Sequence, residues 1–197
     1  VVMVEDTVAQ AMENTTVEEI KTTLSQVISA QTGMSEEEIA DSLSDQSYIN
    51  RLGYTSETLP ALSIPNTYEV YWDLSINELM QRLQKEYTAY WTPERKRKAS
   101  TLGLTPIEAA TLASIVDEET NNNAEKPIVA GLYINRLKRG IPLQADPTVK
   151  YALGDFARKR ILKKDLEIES PYNTYKHKGL PPGPIRIPTI QAIESVQ

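Results

Sequence analysis

Apolar residues recur along this chain in short helical stripes, separated by polar caps and prolines. In TTVEEIKTTLSQVI (15–28), Val17, Ile20, Leu24, Val27 and Ile28 fall at spacings of 3, 4, 3 and 1. That spacing predicts one buried helix face, with Thr15 or Thr16 as its N-cap. MSEEEIADSLSD (34–45) predicts a second helix, capped by Ser35 with Glu38 placed to close a capping box. SINELMQRLQKEYTAYW (75–91) predicts a third, capped by Ser75, with Ile76, Leu79, Met80, Leu83 and Tyr87 along its inner face. Between them, LSIPNTYEVYW (62–72) is the most strand-like run. The pattern as a whole predicts an α+β chain: a helix-rich two-layer domain with a small, mostly antiparallel sheet that includes residues around 62–72.

The next helix carries the most complete start signal in the sequence. Thr105 is the expected N-cap, Pro106 stands at N1, and Glu108 at N3 completes a capping box. Ala109, Leu112, Ala113 and Val116 then form one narrow stripe, and the helix runs into Asp117, Glu118, Glu119 and three asparagines. Three carboxylates in a last turn oppose the helix dipole, at roughly 0.3–1 kcal/mol for each exposed charge. At about 100° per residue the wheel puts Glu119 beside Leu112 on the buried stripe, Asp117 on the flank and Glu118 at the back. Partial burial, two like charges and the dipole would together favour a protonated Glu119, the state a general acid needs. The plainer expectation is a surface acidic turn closed by Asn121–Asn123 as C-cap residues.

AEKPIVAGLYINRLKRG (124–140) predicts a further helix, with Val129, Leu132, Tyr133 and Leu137 inward and Gly140 as its stop. Asn135 and Arg136 lie close to that stripe, as core hydrogen bonders or cleft donors. In PLQADPTVKYALG (142–154), Asp146 and Pro147 read as N-cap and N1 of a short helix ended by Gly154, and Gln144 has no evident structural excuse. ESPYNTYKHKGLPPGPI (169–185) is a rigid, proline-rich loop. It can present Tyr172, Asn173, Thr174 and Tyr175 as donors and stacking faces for a sugar, or serve as packed structure.

Composition narrows the chemistry. The chain has 197 residues, 40% of them hydrophobic and 24% charged, which suits one folded domain with a sizeable core. A net charge of −6 does not favour nucleic-acid binding. The basic runs PERKRK (93–98) and RKRILKK (158–164) are expected on solvated faces. There is no cysteine and a single histidine, His177. Thiolate chemistry is thereby excluded, and neither a His-based metal site nor a Ser-His triad has support. No glycine-rich phosphate loop is present, and no cofactor or metal is expected. The chain opens without an initiator Met or signal peptide and closes inside a helical pattern, so it is expected to be a fragment of a longer protein.

LASIVDEET, VAGLYINRLKRGIPLQADPTVKYALG, SPYNTYKHKGLPPGPI and IPTIQAI, in that order, resemble the YceG-like family of endolytic murein transglycosylases. IPNTYEVYW is similar to that family's more usual FPDTYEFY, with Asn66 where Asp is common. The resemblance runs nearly unbroken over 59–197 and is weak over 1–58. It implies a C-terminally truncated catalytic domain at 59–197, preceded at 1–58 by the helical part of a lobe. It also implies a bacterial envelope enzyme, anchored in the inner membrane by an N-terminal segment absent here, with its catalytic part in the periplasm. The implied reaction cleaves nascent peptidoglycan glycan strands between N-acetylmuramic acid and N-acetylglucosamine and leaves 1,6-anhydro ends. Peptidoglycan synthases and elongation or division proteins are the implied partners.

In the family's S-I-[VI]-E-x-E-T segment the second acid is catalytic, and it falls on Glu119; the first is here Asp117, a departure. Gln144, Asp146, Tyr172, Asn173, Thr174 and Tyr175 are then expected to hold the saccharide. One carboxyl suffices for such a reaction, because the substrate's own C6 hydroxyl replaces the second carboxylate or water of an ordinary glycosidase. The competing expectation is a non-catalytic peptidoglycan-binding or scaffold module in which Glu119 is structural. An ordinary muramidase would release a product carrying solvent oxygen. An aminodeoxychorismate lyase would need a Schiff-base lysine, and no lysine stands out.

Overall fold

The computed structural model describes residues 2–4, 17–66, 68–155, 158 and 160–197, with backbone alone for 2–4, 17–21, 23 and 24. The N-cap expected at Thr15 or Thr16 lies outside the described residues. Helix α1 spans Val17–Gln31, α2 Glu36–Ser44 and α3 Gln46–Arg51. Ser35 caps α2 by accepting from the Glu38 amide at 3.1 Å, as its position predicts. The strand-like run starts on the last residue of a 3-10 turn and forms a strand only over three residues near its end. Leu59–Leu62 winds into a 3-10 turn, and extended backbone is confined to β2, Tyr68–Val70.

That strand pairs antiparallel with β1, Val2–Val4, in the register Val2↔Val70, Met3↔Glu69 and Val4↔Tyr68. Among the described residues this ribbon of three residues a side stands in place of the expected sheet layer. Elsewhere helices pack on helices. The strand is absent, among the described residues, from the first half of the expected run, where Pro65 cannot donate to a ladder.

Helix α4, Ile76–Tyr90, has the expected capping box between Ser75 and Glu78 and the expected inner face. Ile76, Leu79 and Met80 are buried with Ile28, Met34, Ile39, Leu43, Ile49, Leu62 and Val70 in a first core. Helix α5, Pro93–Thr101, carries the exposed basic run Lys96–Lys98. A second core is built from α6 (Pro106–Glu119), α7 (Lys126–Lys138), α8 (Asp146–Leu153) and α9 (Ile190–Ser195). Tyr87 touches both cores and meets Tyr54 edge-on at 6.2 Å and Trp91 at 6.3 Å. The cores also meet where Gly183 lies against the Glu57 carbonyl, with no room for a Cβ.

Helix α6 starts as predicted, with the Thr105–Glu108 capping box and Pro106 in its first turn. Its stripe is no stripe, however: every side chain from Ala109 to Asp117 is buried. A helix apolar on all sides sits inside its neighbours, and α6 is enclosed by the 3-10 turn, α5, α7, α8 and α9.

Helix α7 keeps most of its expected inner face, with Tyr133 buried and Val129 and Leu137 packed against the core. The buried residues are Lys126, Ala130, Tyr133 and Ile134, while Leu132, expected inward, is 53% exposed and Ile128 73%. Each would gain about 1.5–3 kcal/mol if buried, but this rotation instead packs Val129, Ala130, Tyr133, Ile134 and Leu137 into the second core. On the same inner face, the Lys126 ammonium reaches the Asp117 carboxylate at 2.6 Å inside the core. No single helix among the described residues is long and apolar enough to cross a membrane.

Candidate active site

The three acids at the end of α6 have three different environments, and the wheel misassigned them. Asp117 is the buried one, at 4% exposure. It pairs with Lys126 at 2.6 Å and accepts from the Thr189 amide at 2.9 Å and the Thr189 hydroxyl at 3.0 Å. Glu118 is half-buried rather than at the back, and pairs with Arg186 at 2.7 Å. Glu119, expected on the buried stripe, is exposed. Enclosure on all sides, not a single apolar face, decided where each acid could point. The partner of Glu119 is uncharged: the Tyr133 hydroxyl donates to its Oε2 at 3.1 Å.

The turn after Glu119 is self-contained. Thr120, not the asparagines, is the C-cap of α6, and its hydroxyl donates to Glu125 at 2.8 Å. Asn122 donates through Nδ2 to Glu125 and accepts the Ala124 amide on Oδ1. The backbone amides of Glu125 and Lys126 in turn donate to the Asn122 carbonyl, which starts α7. A short, side-chain-stitched connection of this kind fixes how α6 and α7 meet.

Tyr133 is buried, and burial, ahead of the Glu119 charge and their hydrogen bond, pushes its phenol well above the ordinary range. It therefore remains a donor to Glu119 at any working pH. One turn along α7, the Arg136 guanidinium donates to the Pro142 carbonyl and to Gln144 Oε1, both at 3.0 Å. Gln144 is the one non-glycine residue among those described with a left-handed backbone, at φ 54°, a conformation that costs energy and is held by its surroundings. Its amide donates to the Thr174 carbonyl at 3.1 Å. With the Gln144 oxygen taken by an arginine, the NH2 end of its side chain is the free donor pair.

Asp146 is not an N-cap. Ala145 precedes the helix, and Asp146 occupies its first position with an exposed carboxylate. The Tyr175 hydroxyl donates to Asp146 Oδ1 at 2.5 Å. Burial first, then Asp146 and Glu119, push the Tyr175 phenol up to about 12. Glu119 lies within electrostatic reach of both Tyr133 and Tyr175. Glu119, Gln144, Asp146 and Tyr175 thus gather at the junction of α6, α7 and α8.

The other three residues expected to face a sugar are placed elsewhere. Tyr172 is buried against Tyr151, with ring centroids 4.6 Å apart. Asn173 is fully buried and clamps its loop, donating to the Leu166 and Ile168 carbonyls at 2.9 Å and accepting the Tyr175 amide at 3.0 Å. Thr174 is buried too, its hydroxyl accepting the Ala145 amide at 3.0 Å and meeting Thr148 at 2.8 Å. These groups face the scaffold because a proline-bounded loop inside a core must satisfy its polar atoms internally. They orient Gln144 and Tyr175 rather than presenting themselves. Periodicity gave no sign of Tyr133 as a partner for Glu119, since a tyrosine on an inner face reads as core.

Similarity to known proteins points the same way as this geometry. The chain is 34% identical over 180 residues to an endolytic murein transglycosylase of Bacillus subtilis (strain 168), covering 83% of this chain and 49% of that protein. It is 33% identical over 139 residues to an endolytic murein transglycosylase of Streptococcus pneumoniae serotype 2 (strain D39), covering 66% of this chain and 24% of the relative. It therefore spans half or less of the length of these relatives. A crystal structure of a yceG-like protein from Listeria monocytogenes superimposes with a TM-score of 0.73 at 25% identity, over 94% of this chain and 64% of that one. Residues 3–197, both cores and the Glu119 junction included, match the YceG-like family, and the chain belongs to it.

Proposed function

We propose that this chain is the catalytic part of a lytic transglycosylase that cleaves peptidoglycan glycan strands internally, between N-acetylmuramic acid and N-acetylglucosamine, and leaves 1,6-anhydro ends. The observation that carries this is Glu119, the exposed member of a buried acidic helix end, held by a buried phenol beside Gln144, Asp146 and Tyr175. The names of the Bacillus and Streptococcus relatives support the substrate and reaction class. An envelope location follows from that substrate, with membrane anchoring and contacts to synthases or division proteins belonging to the whole protein.

Because Tyr133 donates to Oε2, the proton that Glu119 transfers resides on Oε1. Glu119 gives it to the glycosidic oxygen as the bond to C1 of the muramic residue breaks. The resulting carboxylate then takes the proton of that residue's C6 hydroxyl, whose oxygen closes on C1 to form the anhydro ring. The second step needs no water because the nucleophile belongs to the substrate, with the high effective molarity of an intramolecular group. Asp146, its carboxylate oriented by Tyr175, supplies negative charge toward the oxocarbenium-like state. The Gln144 NH2 donates to the saccharide's hydroxyl or acyl oxygens.

Digestion of purified glycan strands tests this. Wild-type protein is expected to release anhydro-muropeptides, and Glu119→Gln to lose about 10²–10⁴-fold in rate without loss of fold. A product bearing solvent oxygen selects a muramidase. Glycan binding with no product from wild-type protein selects the binding module.

A further inference from the structure

Lys126 is the sole buried lysine or arginine among the described residues. It stands on α7 at the head of the face Lys126, Ala130, Tyr133 and Ile134, spaced as i, i+4, i+7 and i+8. Asp117 is two residues before Glu119 on α6, and Lys126 is seven residues, two helical turns, before Tyr133 on α7. Lys126 and Tyr133 thus share a face of α7, and the ion pair joins the two helices within one turn of Glu119. Apolar burial by itself specifies this rotation only loosely, since Val129, Tyr133, Ile134 and Leu137 pack inward while Ile128 and Leu132 stay exposed. A third element is pinned to the same carboxylate: Thr189 donates to Asp117 through its amide and hydroxyl, and that hydroxyl accepts from the Ala192 amide to cap α9. Just upstream, the Ile185 amide donates to Ser114 Oγ at 3.0 Å, so α6 is tied along its length to the 185–189 segment.

We propose that the buried Asp117–Lys126 pair, with Thr189, is the register clamp that holds α6 against α7 so that Glu119 meets Tyr133. Asp117 and Lys126 are positioning residues that act through those two. The inference rests on Glu119 as the acting carboxyl. Its physical basis is directionality. Apolar contacts between helices fill space but tolerate sliding and rotation, whereas an ion pair with two further hydrogen bonds is satisfied in one arrangement. A displacement of about 1 Å at a catalytic group is enough to cost about a hundredfold in rate.

The test compares variants on purified glycan strands with kcat and KM separated, alongside amide hydrogen exchange. Asp117→Asn is expected to lower kcat about 10- to 100-fold with KM nearly unchanged, because Gln144, Asp146 and Tyr175 are not touched. It should also speed exchange at Glu119 and Thr120. In the double variant Asp117→Leu with Lys126→Met, an apolar pair replaces the charges and the melting temperature is expected near wild type. Its kcat should stay at least about tenfold down, since nothing restores the register. A double variant with wild-type kcat overturns the clamp and reduces the pair to core filling. Should the Asp117 variants not fold, Thr189→Val removes one hydroxyl from the same carboxylate; a wild-type kcat there overturns the proposal, and a severalfold fall with unchanged KM supports it. If Glu119→Gln retains activity, the assignment of Glu119 fails instead. Exchange then judges the clamp by itself: acceleration at Glu119 and Thr120 in a folded variant supports it, and wild-type protection overturns it.

Discussion

Between residues 28 and 80 the buried side chains are aliphatic and aromatic, with Ser25 nearby as the buried polar residue of that half; between 91 and 196 they enclose an ion pair, Asp117 with Lys126, and the hydroxyls of Thr111, Ser114, Thr148 and Thr174. The first core is an arrangement that amphipathic helices reach by covering one another's apolar faces. The second holds a helix with no free face, and its polar groups say which neighbour lies where. That difference has a functional consequence. Burial by itself leaves rotation and register loosely set, and the candidate active site is found in the core that adds directional contacts.

The comparison can be broken most severely at Lys126. Lys126→Met removes the cation in direct contact with buried Asp117, leaving it the Thr189 donors and Arg186 at 3.9 Å, and is expected to destabilise the protein by about 3–5 kcal/mol in denaturant unfolding. Leu43→Ala, in the first core, is expected to cost about 3 kcal/mol while leaving kcat on glycan unchanged. If the two variants affect activity alike once both are folded, the cores do not differ in role. Helix caps should not distinguish the two regions: Ser75→Ala and Thr105→Ala each remove a capping hydroxyl, and each is expected to cost about 1 kcal/mol.

The smallest effects are those of pH. Tyr175 has a folded value raised to about 12 against an ordinary phenol near 10. Its contribution is therefore complete below pH 10 and lost as pH rises toward 12, and Tyr175→Phe should flatten that part of the stability curve. Asp165 behaves oppositely. The Leu162 amide, first, and Arg158 hold its carboxyl below the usual range. Its contribution is present above that range and lost as pH falls through the lowered value, which acid unfolding of Asp165→Asn against wild type would reveal.

The first core was legible because its helices obey one periodicity: Ile76, Leu79 and Met80 were placed inward from spacing alone and are buried. N-capping was legible at Ser35, Ser75 and Thr105, since such a cap depends on residues three positions apart, but not at Asp146, where Ala145 precedes the helix. The wheel failed at Asp117–Glu119 for a different reason. It assumes one wet face, and α6 has none from Ala109 to Asp117. On α7 it held at Val129, Tyr133 and Leu137 and missed only at Leu132, while the buried Lys126 gave no apolar signal to find.

Local chemistry along the sequence determined where helices start and stop, which residue types could do glycosidic chemistry, and, through motif resemblance, that Glu119 was the acid to examine. Tertiary structure alone decided that Asp117 is the buried anchor, that Tyr133 is the partner of Glu119, and that Tyr172, Asn173 and Thr174 turn inward while Gln144, Asp146 and Tyr175 surround the site. The division has a physical cause. Caps and stripes are set by neighbours within a turn or two, whereas Asp117 meets Thr189 across 72 residues and Ala145 meets Thr174 across 29, and such pairings exist only after the helices have packed.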